Sequence, residues 1–164
     1  VADTLPSICL AFEMGSKDLM KRKPFSLNRN IFTPYFSSFL TCSVVIEVGI
    51  TLIVFSLFYN KIGFEMAQTM ALLSIVLNEF VFAYNCRSLT EVITTRGVFT
   101  NKYLNIGMGV LILLQLIVFL TPLGSIFGLV KISISGFILV FMLNVLGFVL
   151  IELSKLVLRP LFKN

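Results

Sequence analysis

The feature that most constrains this chain is a series of apolar segments, each about as long as a membrane is thick. They cover residues 35–59, 66–86, 103–121 and 132–151. A helix needs about 20 apolar residues to cross a hydrocarbon core roughly 30 Å thick, so each segment predicts one membrane-spanning helix. Of the 164 residues, 57% are hydrophobic and 13% are charged, which argues against an ordinary water-soluble domain. We expect an all-α, polytopic transmembrane helix bundle.

Residues 1–13 predict one further, partial helix. Its first twelve residues, VADTLPSICLAF, are mostly apolar, with Asp3 and Thr4 as polar exceptions near the start, but they are too few to span a bilayer, and Pro6 interrupts their middle. The chain begins with Val1 rather than Met and shows no signal-peptide pattern. We therefore expect residues 1–13 to be the end of a broken helix in a longer protein, which gives one partial and four full membrane helices.

The basic residues predict the orientation of the bundle. All but two of the 13 Lys and Arg residues lie in the segments 14–34, 87–102 and 152–164, and the exceptions are Lys61 and Lys131. The positive-inside rule places those three segments on the cytoplasmic side. We therefore expect a cytoplasmic loop at 14–34 and a cytoplasmic tail at 152–164. Because the basic residues act as orientation signals, the net charge of +5 does not indicate nucleic acid, and the expected partner is membrane lipid.

No pattern predicts catalysis by these residues alone. The sequence contains no Gly-rich phosphate loop, no Ser/His/Asp set and no His at all. Cys9, Cys42 and Cys86 are far apart and form no CxxC pair, so we interpret them as buried thiols and not as ligands of zinc or iron.

Glu79 is an acidic residue at membrane depth, where a charged side chain costs about 2.5 to 3.5 kcal/mol on insertion scales. It follows Asn78, and Asn85 lies seven residues after Asn78 on the same helical face, so the helix carries a polar stripe. The stripe predicts an ion ligand or a proton carrier. The alternative is a protonated Glu79 that is hydrogen-bonded to a neighbouring helix.

Asp3 stands three residues before Pro6, which removes a backbone donor and so frees a carbonyl group one turn earlier. A carboxylate beside free carbonyls suits a hard cation, and broken helices at membrane depth occur where they line a cavity or are buried in protein. This pair therefore predicts an ion site. The alternative is an aspartate that caps the start of a helix.

Glu47 lies near the centre of the first full span, two residues before Gly49. A glycine in a membrane helix lets a second helix approach closely. We expect Glu47 to be a structural residue and Gly49 to mark a close helix contact.

The order of these motifs resembles the C-terminal membrane region of type II P-type cation ATPases. VADTLPSICLAFE followed by DLMKRKPFSLNRNIF is similar to the end of the sixth membrane helix and the cytoplasmic loop after it. TMALLSIVLNEFVFAYNCRSL looks like the eighth helix, FTNKYL and PLGSIF flank the ninth, and GFVLIELSKLVLR is similar to the tenth. The residues that carry the similarity include Asp3, Leu5, Pro6, Asp18, Met20, Arg22, Pro24, Glu152 and Lys155.

The resemblance implies a pump that moves a cation through an aspartyl-phosphate cycle, with calcium as the closest analogy. It implies that the phosphorylated Asp, the nucleotide site and five helices lie upstream of Val1, so that ATP and magnesium bind only to the full-length protein. Asp3 and Glu79 match positions that ligate the transported ion, while Glu47 and Asn78 are secondary candidates for the metal site. The implied partners are the upstream helices and the cytoplasmic domains of the same pump, in the cell membrane.

Two departures from the family pattern leave the number of ion sites open. Ala2 stands where two-site calcium pumps have a threonine ligand, and the NKIGFE connection is much shorter than the external loop of the animal reticulum pump. A pump with one site is therefore an alternative. So are a P-type pump for another cation and a small non-enzymatic membrane subunit related to this segment. An Asp-Lys-Thr-Gly motif encoded in frame upstream would exclude the subunit.

Overall fold

The computed structural model describes residues 4–13, 32–87 and 97–161. Within these ranges the chain forms helices and connecting segments without a β-strand, so the predicted all-α fold class is confirmed. A 3-10 turn at Val98–Thr100 precedes the fourth helix. The helices are α1 (Thr4–Ala11), α2 (Pro34–Lys61), α3 (Phe64–Cys86), α4 (Lys102–Leu120), α5 (Leu123–Ile126) and α6 (Ile134–Leu161).

Four of these helices are long and apolar enough to cross a membrane, which confirms the predicted polytopic bundle. The candidate spans are Pro34–Lys61, Phe64–Cys86, Lys102–Phe119 and Ile134–Leu158. The last helix continues past residue 151, where the sequence predicts the end of the span, because most of the residues that follow are good helix formers and Pro160 stands only in its final turn. The cytoplasmic position of 152–164 stays a prediction. Most of the predicted cytoplasmic loop, residues 14–31, lies outside the described ranges.

Helices α2, α3 and α6 pack against one another around a shared apolar core. The buried side chains of this core are Ile50, Val54, Phe58, Ala67, Met70, Leu73 and Val140. Large apolar side chains on the outer faces of the same helices stay exposed, as expected for surfaces that contact lipid chains instead of water.

The glycine that permits close packing of α2 and α6 is Gly147, not Gly49. A Cβ added at Gly49 has no atom of the described residues within 4 Å, so no helix in the described part of the chain makes the predicted close contact there. A Cβ added at Gly147 would overlap Cδ1 of Ile50. The sequence marks both glycines as candidates, but only the rotation of each helix about its axis decides which one faces its neighbour.

Helix α1 packs mainly against α4 and touches α3. The contact depends on Gly107 of α4, because a Cβ there would lie 2.6 Å from Cδ2 of Leu5 and 2.7 Å from Sγ of Cys9. Both distances are far shorter than an ordinary contact of about 3.5–4.0 Å between carbon atoms. An alanine at this position therefore forces the side chains of Leu5 and Cys9 to move or the two helices to separate.

The helices are connected or capped differently at the two ends of the bundle. At one end Gly63 adopts a φ of 123°, a conformation that favours glycine, and joins α2 to α3 in a tight turn. At the other end Asn101 caps α4, because its Oδ1 accepts a hydrogen bond of 2.9 Å from the backbone N–H of Leu104. Arg87 lies at this second end, so we name the two ends the Gly63 end and the Arg87 end.

Candidate cation site

A cavity of about 500 Å³ opens between α1, α2 and α3. Its apolar lining comes from Pro6, Val48, Leu52, Ile75 and Phe82. Its polar lining comes from Ser7, Glu47, Thr51, Asn78 and Glu79. Polar and acidic groups that gather in a cavity between membrane helices are the usual mark of an ion or proton site.

Local helix geometry explains why these side chains meet. Glu47 and Thr51 are four residues apart on α2 and so share one face. Asn78 of α3 reaches across: its Nδ2 donates to the backbone oxygen of Glu47 at 3.2 Å and to Oγ1 of Thr51 at 3.1 Å. These two bonds fix the rotation of α3 relative to α2, and Glu79 follows Asn78 into the lining of the cavity.

The carboxyl group of Glu47 has an oxygen without a hydrogen-bond partner. Its Oε1 is buried, and the described residues offer it no donor. A buried polar atom without a partner costs about 1–3 kcal/mol, and more when the group is charged. The Glu47 carboxyl group can therefore hold a proton, or it can share a cation with the other oxygen atoms of the cavity.

The described part of the cavity supplies an incomplete set of calcium ligands. Calcium takes six to eight oxygen atoms at about 2.3–2.6 Å, from carboxylates, carbonyls and amides. Glu47 and Glu79 offer carboxylates, and Asn78 offers its Oδ1, since its nitrogen is already engaged. Within 4–13, 32–87 and 97–161 no three His, Cys, Asp or Glu residues come together as a metal-binding group.

The three cysteines are free and half-buried, not fully buried as predicted.

Three of the four predicted site residues are brought together. Glu79, Glu47 and Asn78 all line the cavity, whereas Asp3 lies outside the described residues. Pro6, which the sequence pairs with Asp3, lines the same cavity. Asn85, the third member of the predicted polar stripe, is absent from the lining and lies towards the Arg87 end, where its backbone oxygen accepts a hydrogen bond from α6.

That hydrogen bond comes from Lys155, a residue whose role the sequence does not reveal. Its side chain is only 2% exposed, and its Nζ donates to the Asn85 oxygen at 2.9 Å and to Glu152 at 2.8 Å. The same ammonium group lies 5.7 Å from the centre of the Phe39 ring. A cation at the C-terminal end of a helix is favoured by the helix dipole. Lys155 therefore ties α6 to the ends of α2 and α3.

Glu13, Arg87 and Asn101 form a second polar group, at the Arg87 end, that the sequence does not predict. From its position Arg87 is interpreted only as an orientation charge, yet its side chain is 2% exposed and pairs with Glu13 at 3.0 Å. The one signal in the sequence is the position of Asn101, immediately before the apolar run of α4, which is typical of a helix cap.

Comparison with known proteins agrees with this architecture. Residues 1–157 match the family described as "Cation transporting ATPase, C-terminus". The chain is 30% identical to "Calcium-transporting ATPase 1" of Bacillus cereus, over 95% of this chain and 20% of the relative. It is 31% identical to "Calcium-transporting ATPase" of Bacillus subtilis, over 85% of this chain and 16% of the relative. It is 28% identical to "Calcium-transporting ATPase type 2C member 2" of Rattus norvegicus, over 95% of this chain and 17% of the relative.

These relatives are much longer than the present sequence, which spans at most about a fifth of their length. The matched region is nonetheless almost the whole chain, and it includes every helix that lines the cavity. The chain belongs to the family of cation transporting ATPases, and the region of that family that it matches is the C-terminus.

Proposed function

We propose that this chain is the C-terminal membrane domain of an ATP-driven pump that transports calcium. The observation that carries the proposal is the cavity in which Glu47, Asn78 and Glu79 meet beside α1. The relatives named as calcium-transporting ATPases support calcium as the cation. The chain contributes ion ligands and a rigid set of helices, whereas phosphorylation and the binding of ATP and magnesium belong to domains outside it.

Asp3 and Glu79 are the proposed calcium ligands, and Glu47 is the proposed structural acid of the cavity. The upstream helices of the same pump supply the remaining oxygen atoms, because the chain alone offers too few for a hard divalent cation. In this proposal the Arg87 end faces the cytoplasm, the C-terminus lies on that side, and the pump resides in the cell membrane among its lipids.

The first experiment identifies the whole protein and its ion together. An antibody to the tail LRPLFKN recovers the native polypeptide from its membranes, which is then incubated with labelled ATP with and without calcium. We expect a large band whose acid-stable label depends on calcium. A large labelled band that is indifferent to calcium would show a pump for another cation. An unlabelled band near 18 kDa would show a small subunit and refute the proposal.

The second experiment tests the ligands by calcium uptake into vesicles that contain the full-length pump. Asp3→Asn should abolish uptake, because it removes a charged ligand from the site. Glu79→Gln should weaken calcium affinity or halve the number of ions moved per ATP. Normal uptake by Asp3→Asn would refute the assignment of that ligand.

A third variant of the cavity and one matched control complete the series. Glu47→Gln should keep transport, since a structural acid at membrane depth can be replaced by its neutral amide. Loss of uptake by Glu47→Gln at normal expression would show that Glu47 handles ions or protons. Glu65→Gln makes the same chemical change at an exposed position in the first turn of α3 and should leave uptake unchanged.

A further inference from the structure

Arg87 joins three separate parts of the chain at one end of the bundle. Its Nε and Nη2 donate to the two carboxylate oxygens of Glu13, at 3.1 and 3.0 Å. Its Nη1 donates to the backbone oxygen of Gly97 at 2.9 Å, and its Nη2 also reaches the hydroxyl of Thr100. The forked contact with Glu13 fixes direction as well as charge, because only the planar guanidinium group can pair with both oxygens of a carboxylate in this way.

Asn101 adds a second connection to the same carboxylate. While its Oδ1 caps α4, its Nδ2 donates to Oε2 of Glu13 at 2.7 Å and to the backbone oxygen of Cys9 at 3.3 Å. One side chain therefore starts α4 and holds the end of α1. Just beside it, the rings of Phe12 and Tyr103 lie 5.0 Å apart between their centres.

The burial of this group suggests positioning and not simple stabilisation. The side chains of Arg87 and Glu13 are 2% and 14% exposed, so both charges have been taken out of water at a cost that their attraction only partly offsets. The best-attested use of such pairs is to select one register or orientation over others. Here they select the position of α1, of which the structure describes the eight residues Thr4–Ala11.

The other side of α1 faces the cavity. Pro6 and Ser7 line it, whereas Leu5 and Cys9 pack on Gly107 of α4. A rigid helix moves as one body, so a shift of the end held by Arg87 and Asn101 also displaces a wall of the cavity, only a few residues away.

We propose that Glu13, Arg87 and Asn101 are positioning residues that hold α1 against α4 and so set the cation affinity of the cavity. None of the three residues lines the cavity, and they act through α1. This inference rests on the proposed function, since it concerns the affinity of the same site.

The decisive variant is Asn101→Asp. The new carboxylate keeps an oxygen that can cap α4, but it loses the donor to Glu13 and places a second negative charge beside it. Calcium uptake by vesicles with the full-length pump is measured against free calcium. We expect the half-maximal calcium concentration to rise about tenfold, within the roughly 5- to 150-fold span typical of coupling between sites. The maximum uptake per pump should stay unchanged.

Two further variants separate geometry and charge. Arg87→Lys keeps the charge but cannot form the fork, so it should raise the half-maximal calcium concentration in the same direction. Asn60→Asp makes the same substitution as the decisive variant at an exposed position near the Gly63 end and should behave like the wild type.

A measurement that needs no cation follows α1 directly. Cys9 packs on Gly107, so release of α1 should speed its reaction with a membrane-permeant maleimide, quantified by mass spectrometry of the peptide that contains it. We expect faster labelling of Cys9 in Asn101→Asp and Arg87→Lys but not in Asn60→Asp.

The outcomes distinguish the inference from the proposed function. Unchanged labelling of Cys9 in Asn101→Asp would overturn the inference. So would a lower maximum uptake with the same half-maximal concentration, because that pattern reports lost folded protein and not lost affinity. A wild-type pump that takes up no calcium would overturn the proposed function, while the labelling of Cys9 would still decide whether the three residues hold α1.

Discussion

Gly147 offers a direct test of how closely α6 packs against α2. Alanine at this position overlaps Cδ1 of Ile50 and places its Cβ 3.8 Å from Cγ1 of Ile50 and 3.9 Å from Cγ2 of Ile46. Ile50 is 6% exposed within the core of the three helices, so its terminal methyl group has little room to move. Overpacking of this kind destabilises the folded state by about 1–3 kcal/mol.

Gly49→Ala is the matched control, because a Cβ at Gly49 meets no atom within 4 Å. Both substitutions gain up to roughly 1 kcal/mol of helix propensity, so the difference between the two variants isolates the steric cost. The assay is the half-life of the folded full-length protein in detergent at one fixed temperature, followed by size-exclusion chromatography. If the overlap is relieved in the transition state in which the helices separate, the barrier to unfolding falls by about 1–3 kcal/mol. The half-life of Gly147→Ala should then be roughly 5- to 160-fold shorter than that of Gly49→Ala.

A second substitution shows whether Ile50 is the cause. Ile50→Val removes the methyl group that the new Cβ overlaps, and alone it should cost about 0.5–1.5 kcal/mol. In the Gly147→Ala background, however, Ile50→Val should lengthen the half-life. This change of sign would show that the two neighbouring residues are energetically coupled. Equal half-lives for Gly147→Ala and Gly49→Ala would refute the close approach of the two helices.

Three further substitutions test polar contacts between the helices, each against a control or a local readout. Lys155→Met breaks the largely buried ion pair with Glu152 and should lower the free energy of unfolding by about 3–5 kcal/mol, whereas exposed Lys131→Met should lower it by less than about 0.5 kcal/mol. Equal half-lives of the two variants in detergent would contradict this. Tyr84→Phe removes a 2.7 Å hydrogen bond to Asn105 of α4 and should lower the free energy of unfolding by about 0.6 kcal/mol in the same assay. Exposed Tyr59→Phe should have no measurable effect, and an unchanged half-life of Tyr84→Phe would argue against the bond. Thr69→Val removes the hydroxyl that accepts a 3.1 Å bond from the backbone after α5, so that amide should exchange with deuterium faster, and unchanged exchange would rule out its protection by Thr69.

The sequence predicts the fold class because the signal lies in length and apolarity. Segments as long as 35–59 and 66–86 leave little room for anything but membrane helices, and the structure has helices there. The ends are less predictable, as the extension of α6 to Leu161 shows. Polar residues such as Glu152 and Lys155 indicate where the helix leaves the hydrocarbon core, but a helix can continue beyond the membrane.

The cavity can be predicted only in part. Asn78 and Glu79 are conspicuous because they are polar residues in an apolar helix, but their link to Glu47 joins residues that are 31 positions apart. Such a contact depends on how α2 and α3 are rotated about their axes, and a single sequence does not define that rotation. Glu47 is therefore placed at the cavity by the tertiary structure.

Buried charges near the helix ends are the residues that are hardest to predict from a sequence. Arg87 and Lys155 look like ordinary orientation signals, because basic residues at the ends of membrane segments usually extend towards the membrane surface. Their burial depends on partners from other helices, Glu13 for Arg87 and the end of α3 for Lys155. Neither partner is visible from the local sequence.

The pair formed by Glu13 and Arg87 also constrains how the protein is made. The two residues are separated by 74 positions, so all of α2 and α3 is synthesised after Glu13 and before its partner exists. Until then the carboxyl group either stays at the membrane surface, in contact with water, or carries a proton. Final seating of α1 is therefore a late event in biosynthesis, and it completes only when the start of α4 has followed Arg87 out of the ribosome.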